Sequence, residues 1–392
     1  MTKPLAFLGD IPVQTFLNEY WQKKPLLIRN AFPELESPIS ADELAGLALE
    51  EEVESRIIVE QGQTGAWELQ CGPFAEDHFS KMPKSHWTLL VQAVDHWVPE
   101  VEAMLDYFRF IPSWRLDDIM FSYAPDGGSV GPHFDQYDVF LLQTEGQRHW
   151  RLGQICDAGS TCLDDTPLHI LQQFEPQPQA DWVLNPGDML YIPPQLAHWG
   201  IAQDDNCITM SVGFRAPSHG EILTEFSQEI ASQLTEDQRY TDTSLSEESH
   251  PGEIPQAAIE NLKAIIENQL DNPQELGNWF GRLMTSPKYE EDASPDNFDE
   301  DDYADIIEAL QAGQVLERRA SARLAFSIKD KTRDTATLFF DGQSQPCTID
   351  FAKQLCDKRV LAFEDLAPAQ QSNINAKLLS ELLAFEVFYL AD

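Results

Sequence analysis

The segment GPHFDQYDVF, residues 131–140, carries a histidine and an aspartate two positions apart, His133 and Asp135. In a strand such residues point to the same face, so an imidazole and a carboxylate lie together. His198, in YIPPQLAHWG behind a Pro-Pro pair and next to a predicted strand, is the best candidate for a third donor. Two imidazoles and one carboxylate are the donor set of non-haem Fe(II) sites, with positions left open, whereas zinc prefers three histidines or sulfur ligands. The competing interpretation is an exposed polar pair on a strand.

A second His-x-acid motif, at His219 and Glu221, tests how specific this signal is. It lies where a helix is predicted to begin, and only His250 follows it downstream. We interpret it as a helix N-terminus, with Glu221 favourably placed at the positive end of the dipole.

Arg148, fifteen positions after His133, is the candidate anchor for a carboxylate-bearing cosubstrate. A guanidinium matches a carboxylate as a bidentate donor. Strand alternation places Arg148 with Trp150 on an apolar inner face and His149 with Arg151 on the other. The alternative is that Arg151 points inward and Arg148 is exposed.

Further candidates for the same ligand are small or polar residues on predicted core strands. On CITMSVGFRA, Thr209, Ser211 and Gly213 share one face and could bond a carboxylate or leave room for it. Ser122 and Tyr137 are further candidates of this kind.

The elements that must position these side chains change along the chain. Residues 117–215 alternate short β-rich runs with Gly/Pro turns, which is typical of an all-β sandwich or barrel. We predict a hairpin around Glu145 and Gly146, and a type II turn at Pro186 and Gly187.

The flanking regions have a mixed or helical pattern. Before residue 100 we predict helices and strands, including a capping box at Ser40 and Glu43 and helical spacing in SHWTLLVQAVDHWVPEVEAMLDYF. After residue 220 the helical pattern could cover its own core or form a dimer surface. The C-terminal segments, with a strand–Asp-Gly–strand hairpin, resemble a winged helix.

Charge and composition limit the function classes. The 392 residues carry a net charge of −40, which opposes nucleic-acid binding and would attract a basic partner, or only maintain solubility. Residues 290–305 contain nine acids, either a solvated linker or a lure for a basic substrate. None of the six cysteines forms a CxxC pair, and no signal or membrane-spanning segment is apparent, so we expect a cytoplasmic protein with reduced thiols.

GPHFDQYDVFLLQTEGQRHWRL and LNPGDMLYIPPQLAHWGIA resemble the JmjC iron- and 2-oxoglutarate-dependent oxygenases, and the whole layout resembles the bacterial ribosomal oxygenases. The resemblance implies an α+β chain with a double-stranded β-helix (cupin/jelly-roll) core. It implies Fe(II) on His133, Asp135 and His198, and 2-oxoglutarate on Arg148. The implied reaction uses O2 to hydroxylate a ribosomal protein, an arginine of large-subunit protein L16.

The implied domains are an N-terminal α/β extension (1–100), the catalytic core (101–220), a helical dimerisation region (221–289), and an acidic linker with a winged-helix-like module (290–392). The acidic charge suggests that this module serves protein contacts or folding rather than DNA binding. Alternatives are a JmjC demethylase, an oxygenase of small molecules, or a non-catalytic cupin that binds without turnover.

Overall fold

The computed structural model describes residues 5–60, 67–164, 166–242, 250–289 and 300–391. The chain forms two compact units, Met1–Ala216 and Pro217–Asp392. Most of the acidic segment, residues 290–299, lies outside the described residues, so the two interpretations of its charge stay open.

The first unit is a β-structure preceded by short helices. Its helices are α1 (Val13–Glu19), α2 (Ala41–Leu47) and α3 (Pro99–Met104). Its strands are β1 (Leu26–Ile28), β2 (Ser55–Glu60), β3 (Trp67–Cys71), β4 (Trp87–Val91), β5 (Leu116–Ala124), β6 (Val139–Glu145), β7 (Arg148–Ile155), β8 (Asp181–Leu184), β9 (Met189–Ile192), β10 (Leu196–Ala202) and β11 (Cys207–Phe214). The predicted capping box of α2 is present, because Ser40 and Glu43 bond each other's backbone N–H groups.

Two antiparallel sheets face each other in this unit. The larger sheet has the order β1-β9-β6-β11-β5-β4-β2-β3, and the smaller has the order β10-β7-β8. One face of the larger sheet packs against the N-terminal elements, with Phe16 and Phe140 in that core. The other face meets the smaller sheet through residues such as Leu141 and Leu152. Since both faces of the larger sheet are covered, β6 and β9 are buried nearly throughout.

Two local predictions were wrong. The strands on either side of Glu145 and Gly146 do not form a hairpin: β6 pairs with β9 and β11, whereas β7 pairs with β8 and β10. The turn is a corner at which the chain passes between sheets. The helical spacing predicted after His86 begins instead with the strand β4, which is buried at every position; a continuous apolar run fits either element.

The predicted turn at Pro186 and Gly187 is present and helps to fix the β9 end of the sheet. Asp188 N–H donates to the Asn185 carbonyl, and Gly187 has a φ of 87°, as a type II turn requires. Backbone N–H groups of Asn185 and Asn30 donate to the Asp188 carboxylate. The turn therefore joins β8, β9 and the end of β1.

The second unit contains helices and two small sheets. Its helices are α4 (His219–Gln233), α5 (Gln256–Asn268), α6 (Pro273–Thr285), α7 (Glu300–Gln311), α8 (Ile349–Asp357), α9 (Ala367–Gln371) and α10 (Asn373–Ala384). Its strands are β12 (Leu316–Arg318), β13 (Leu324–Asp330), β14 (Thr335–Phe340), β15 (Gln343–Cys347), β16 (Val360–Leu361) and β17 (Phe388–Leu390). The sheet orders are β16-β12-β17 and β13-β14-β15.

The predicted Asp-Gly hairpin is confirmed in this unit. Asp341 and Gly342 both have positive φ and join the paired strands β14 and β15, as a type I′ turn requires. The motif at His219 is also a helix start, as predicted: Ser218 and Glu221 form a capping box there. All six cysteines are free, and no helix of the described residues is long and apolar enough to cross a membrane.

Candidate functional site

His133, Asp135 and His198 meet on the inner side of the smaller sheet. One ligand-type atom from each lies within 4.8 Å of the others, and His198 Nε2 is 3.6 Å from Asp135 Oδ2. The two histidines pair directly: His133 N–H donates to His198 O at 3.0 Å, and His198 N–H donates to His133 O at 2.8 Å. This backbone pairing brings together residues that are 65 positions apart in the sequence.

Both imidazoles have the same hydrogen-bonding arrangement. His133 Nδ1 is 3.0 Å from Gly131 O, and His198 Nδ1 is 2.9 Å from Leu196 O. A carbonyl only accepts, so each Nδ1 carries a proton, and Nε2 is the ring nitrogen left for a metal. Burial and the neighbouring His133 lower the pKa of His198 to about 4. The neutral, metal-binding form therefore predominates at neutral pH.

A backbone hydrogen bond from the turn after the Pro-Pro pair holds the Asp135 segment in place. Gln195, whose φ is 66°, donates its N–H to Asp135 O at 2.7 Å. Tyr137 is 43% exposed, and the Asp135 charge, followed by partial burial and the charges of Asp118 and Asp117, raises the pKa of its hydroxyl. Its hydroxyl stays protonated and donates to the Asp135 carboxylate. Tyr137 thus lies at the triad end of the site, the end formed by His133, Asp135 and His198.

Arg148 forms the opposite end. It is 3% exposed, so it points inward as the alternation predicts, while His149 and Arg151 lie on the outer face. Its Nε donates to Thr209 Oγ1 at 2.9 Å, and its Nη2 is 3.4 Å from Ser122 Oγ. No carboxylate of the described residues forms an ion pair with it. A buried guanidinium with only neutral partners favours binding an anion, because an uncompensated buried charge is costly.

The Arg148 end, formed by Arg148, Thr209 and Ser122, is built from paired strands. Thr209 on β11 pairs with Ser122 on β5 and with Gln143 on β6. Thr209 Oγ1 donates to Gln143 Oε1 at 2.9 Å, which leaves its lone pairs for the Arg148 Nε–H. Thr209 was a candidate from the sequence, but Gln143 was not, because its contact with Thr209 depends on the pairing of β6 with β11.

Ser211 lies two positions after Thr209 on the same face of β11, nearer to the triad end. It is 7% exposed and pairs with Met120 and Leu141. Asp118, which the sequence analysis missed, lies on the same face of β5 as Met120 and Ser122. Its Oδ2 accepts from Gln92 Nε2 and Ala93 N–H. Asp118 also contributes to the raised pKa of Tyr137, so its carboxylate lies near the triad end.

Two regions of this chain match known families. Residues 103–222 match the JmjC domain, and residues 267–388 match the ROXA-like winged helix. The ribosomal protein uL16 3-hydroxylase of Escherichia coli is 37% identical over 312 residues, 79% of this chain and 80% of that protein. A probable ribosomal oxygenase of Haemophilus influenzae is 35% identical over 81% of this chain and 79% of that protein.

Solved structures are similar over nearly the full length. The ribosomal oxygenase YcfD from Escherichia coli, in complex with cobalt and 2-oxoglutarate, superposes with a TM-score of 0.83. The two chains are 32% identical, and the match covers 97% of this chain and 99% of that one.

Proposed function

This chain belongs to the JmjC ribosomal oxygenases with a ROXA-like winged helix, and from that premise we propose that it hydroxylates an arginine of ribosomal protein uL16. As a member of this family it is a 2-oxoglutarate-dependent oxygenase that uses Fe(II) and O2. What is proposed is the identity of the substrate and the role of each residue.

We assign the iron to His133, Asp135 and His198. The donor set fits, because two imidazoles, each with its Nδ1 bonded to a backbone carbonyl, and one carboxylate converge within 4.8 Å. When bound, the iron couples oxidative decarboxylation of 2-oxoglutarate to oxidation of a substrate C–H bond. The chain's own residues orient the ligands, and burial excludes water from His198, which is 2% exposed; His133 and Asp135 are part-exposed.

We assign the distal carboxylate of 2-oxoglutarate to Arg148, with Thr209 positioning the guanidinium and Ser122, 3.4 Å from Arg148 Nη2, as its weaker support. The buried Arg148, without a carboxylate partner in the described part of the chain, is the observation that carries this assignment. Ser211 and Tyr137 complete the proposed set as lining residues. Ser211 faces the same interior closer to the triad, and Tyr137 bonds Asp135.

The substrate proposal rests on charge and on the relatives. The net charge of −40 would favour encounter with a basic ribosomal protein and disfavours direct nucleic-acid binding. A relative of 37% identity is named a uL16 hydroxylase. Since ribosomal proteins are synthesised in the cytoplasm, we propose the same location for this chain.

The direct test is mass spectrometry of uL16 after aerobic incubation with the full-length chain, Fe(II) and 2-oxoglutarate. We expect one added oxygen on one arginine, and none on a matched peptide in which that arginine is lysine. Oxidation of another residue would refute the arginine assignment. No added oxygen, with 2-oxoglutarate still consumed in the presence of other proteins, would refute uL16 as substrate.

The same assay separates the alternatives. A demethylase would release formaldehyde from an N-methylated peptide without leaving oxygen on it. A non-catalytic cupin would consume no 2-oxoglutarate with any substrate. An oxygenase of small molecules would consume 2-oxoglutarate without modifying any ribosomal protein.

We also propose a homodimer formed through α4 and α5. Neither helix has a single buried side chain, although both carry apolar residues: Leu223 is 65% exposed, and Ile259, Leu262 and Ile266 are all more than half exposed. Such apolar faces are typical of an interface. We expect a dimer in sedimentation velocity and a monomer for Leu262→Glu with Ile266→Glu; a monomeric wild-type chain at micromolar concentration would refute the proposal.

A further inference from the structure

The two triad histidines differ in what holds their orienting carbonyls. Leu196 O, which accepts from His198 Nδ1, belongs to β10, where Leu196 pairs with Ile155 of β7. Gly131 O, which accepts from His133 Nδ1, lies in the glycine-rich loop before the triad. Backbone pairing in the sheet fixes the first carbonyl, whereas the second needs another support.

Ser129 provides this support. Its side chain is fully buried, and its Oγ accepts the Gly131 N–H at 3.0 Å. Gly131 has a φ of 80°, and a Cβ there would lie 3.1 to 3.2 Å from Ile170. The loop conformation is therefore one that glycine favours, and a side-chain acceptor stabilises it.

The Ser129 hydroxyl accepts a second bond, from Trp199. Trp199 Nε1 lies 2.8 Å from Ser129 Oγ, although Trp199 directly follows His198 and points to the outer face of the smaller sheet. Its indole is fixed in turn: the Arg151 guanidinium lies 4.2 Å from the ring centroid, and Phe174 packs edge-on at 5.8 Å. Arg151 is also the strand neighbour of Trp199.

We propose that Ser129 and Trp199 are positioning residues for the metal centre. The contacts form a closed circuit: Trp199 donates to Ser129, Ser129 holds Gly131, Gly131 O orients His133, and His133 pairs with His198, the residue before Trp199. We call this circuit the Ser129–Trp199 relay. Through this relay, residues on the outer face of the sheet hold His133 in its orientation. Outer-shell hydrogen bonds commonly orient metal-binding histidines in this way. The inference rests on the proposed assignment of the iron ligands.

The test measures Co(II) binding to the full-length chain without oxygen, through affinity and the visible Co(II) absorption bands. Trp199→Phe removes the donor but keeps a ring for Arg151 and Phe174, and Ser129→Ala removes the acceptor. Each should weaken Co(II) binding about 10- to 100-fold and shift the bands. The double variant should lose no more than the weaker-binding single variant, because both changes break one relay.

Matched controls remove the same groups elsewhere in the first unit. Trp182→Phe deletes an indole of β8, and Ser55→Ala deletes a buried hydroxyl of β2; both should bind Co(II) as the wild type does. Unchanged affinity and bands in Trp199→Phe would overturn the relay, as would losses that multiply in the double variant. If Ser129→Ala does not fold, Trp199→Phe alone decides. Failure of the wild-type chain to bind Co(II) would instead refute the metal assignment itself.

Discussion

The triad end and the Arg148 end of the site are built in different ways. Of the triad, His133 and Asp135 precede β6 outside any strand, and His198 follows an irregularity in the β7–β10 pairing. Arg148, Thr209 and Ser122 all lie within paired strands. Two of the three triad residues therefore depend on loop conformation, whereas all three residues of the Arg148 end depend on the register of the sheets.

This difference indicates how each end keeps its geometry. A side chain in a paired strand has its direction fixed by the ladder, so the Arg148 end needs only complementary side chains opposite each other. A ligand on a loop needs its loop fixed as well, and the Gln195 turn and the Ser129–Trp199 relay supply those bonds. Substitutions at the two ends should therefore affect different measurable quantities.

The largest expected effect is at the triad end. Asp135→Ala removes the single charged donor of the triad, and we expect Co(II) affinity to fall on the order of 100-fold or more, with loss of turnover. Isothermal titration calorimetry with Co(II) measures this directly. His149→Ala, which removes a histidine from the outer face of β7, is the matched control. Retained turnover in Asp135→Ala would contradict the ligand assignment.

The next largest effect is expected at the Arg148 end, and it should leave the triad end unchanged. Arg148→Ala removes the proposed partner of the cosubstrate carboxylate. We expect this to cost about 2 to 5 kcal/mol and to raise the KM for 2-oxoglutarate at least about 30-fold. Co(II) affinity without cosubstrate should not change. Arg148→Lys should lose less, because it keeps the charge but not the fork geometry. A parallel loss of Co(II) affinity in Arg148→Ala would show that the two ends are not independent.

The sequence predicts the parts of this site that local periodicity determines. The alternation around Arg148 depends only on neighbouring residues, and its side chain points inward as predicted. His133 and Asp135 do meet His198, but they lie outside the strands, so the strand alternation that predicted their common face was wrong. Gln143 and the Ser129–Trp199 relay depend on which strand lies beside which, and on loop conformation. Neither is encoded in a short window of sequence.

The two predicted hairpins illustrate the same limit. Asp341 and Gly342 form one because their positive φ values match the twist of two neighbouring strands. Glu145 and Gly146 gave a similar signal, yet the strands they join belong to different sheets. Gly146 also has positive φ, and Asp204 accepts the Gln147 N–H beside it. Turn chemistry predicts a change of direction, but the pairing partner is set by distant residues.

A smaller effect tests whether register alone fixes Arg148. Thr209→Val keeps the shape of the side chain but removes the acceptor of Arg148 Nε and the donor to Gln143. We expect the KM for 2-oxoglutarate to rise about 5- to 10-fold, since a net hydrogen bond of this kind contributes about 1 kcal/mol. Steady-state kinetics with 2-oxoglutarate varied measure it. A change confined to kcat would show that Thr209 does not position the anchor.

The smallest effect is expected for Ser122→Ala. Ser122 Oγ lies 3.4 Å from Arg148 Nη2 and 3.5 Å from Thr209 O, so both bonds are long and weak compared with the 2.9 Å bond from Arg148 to Thr209. If Ser122 only supports the guanidinium, the KM for 2-oxoglutarate should rise by a factor of about 2, corresponding to about 0.5 kcal/mol. If the hydroxyl instead turns to the bound carboxylate, the loss should equal or exceed that of Thr209→Val. Measuring the two variants side by side therefore decides whether Ser122 contacts the cosubstrate itself or acts only through Arg148.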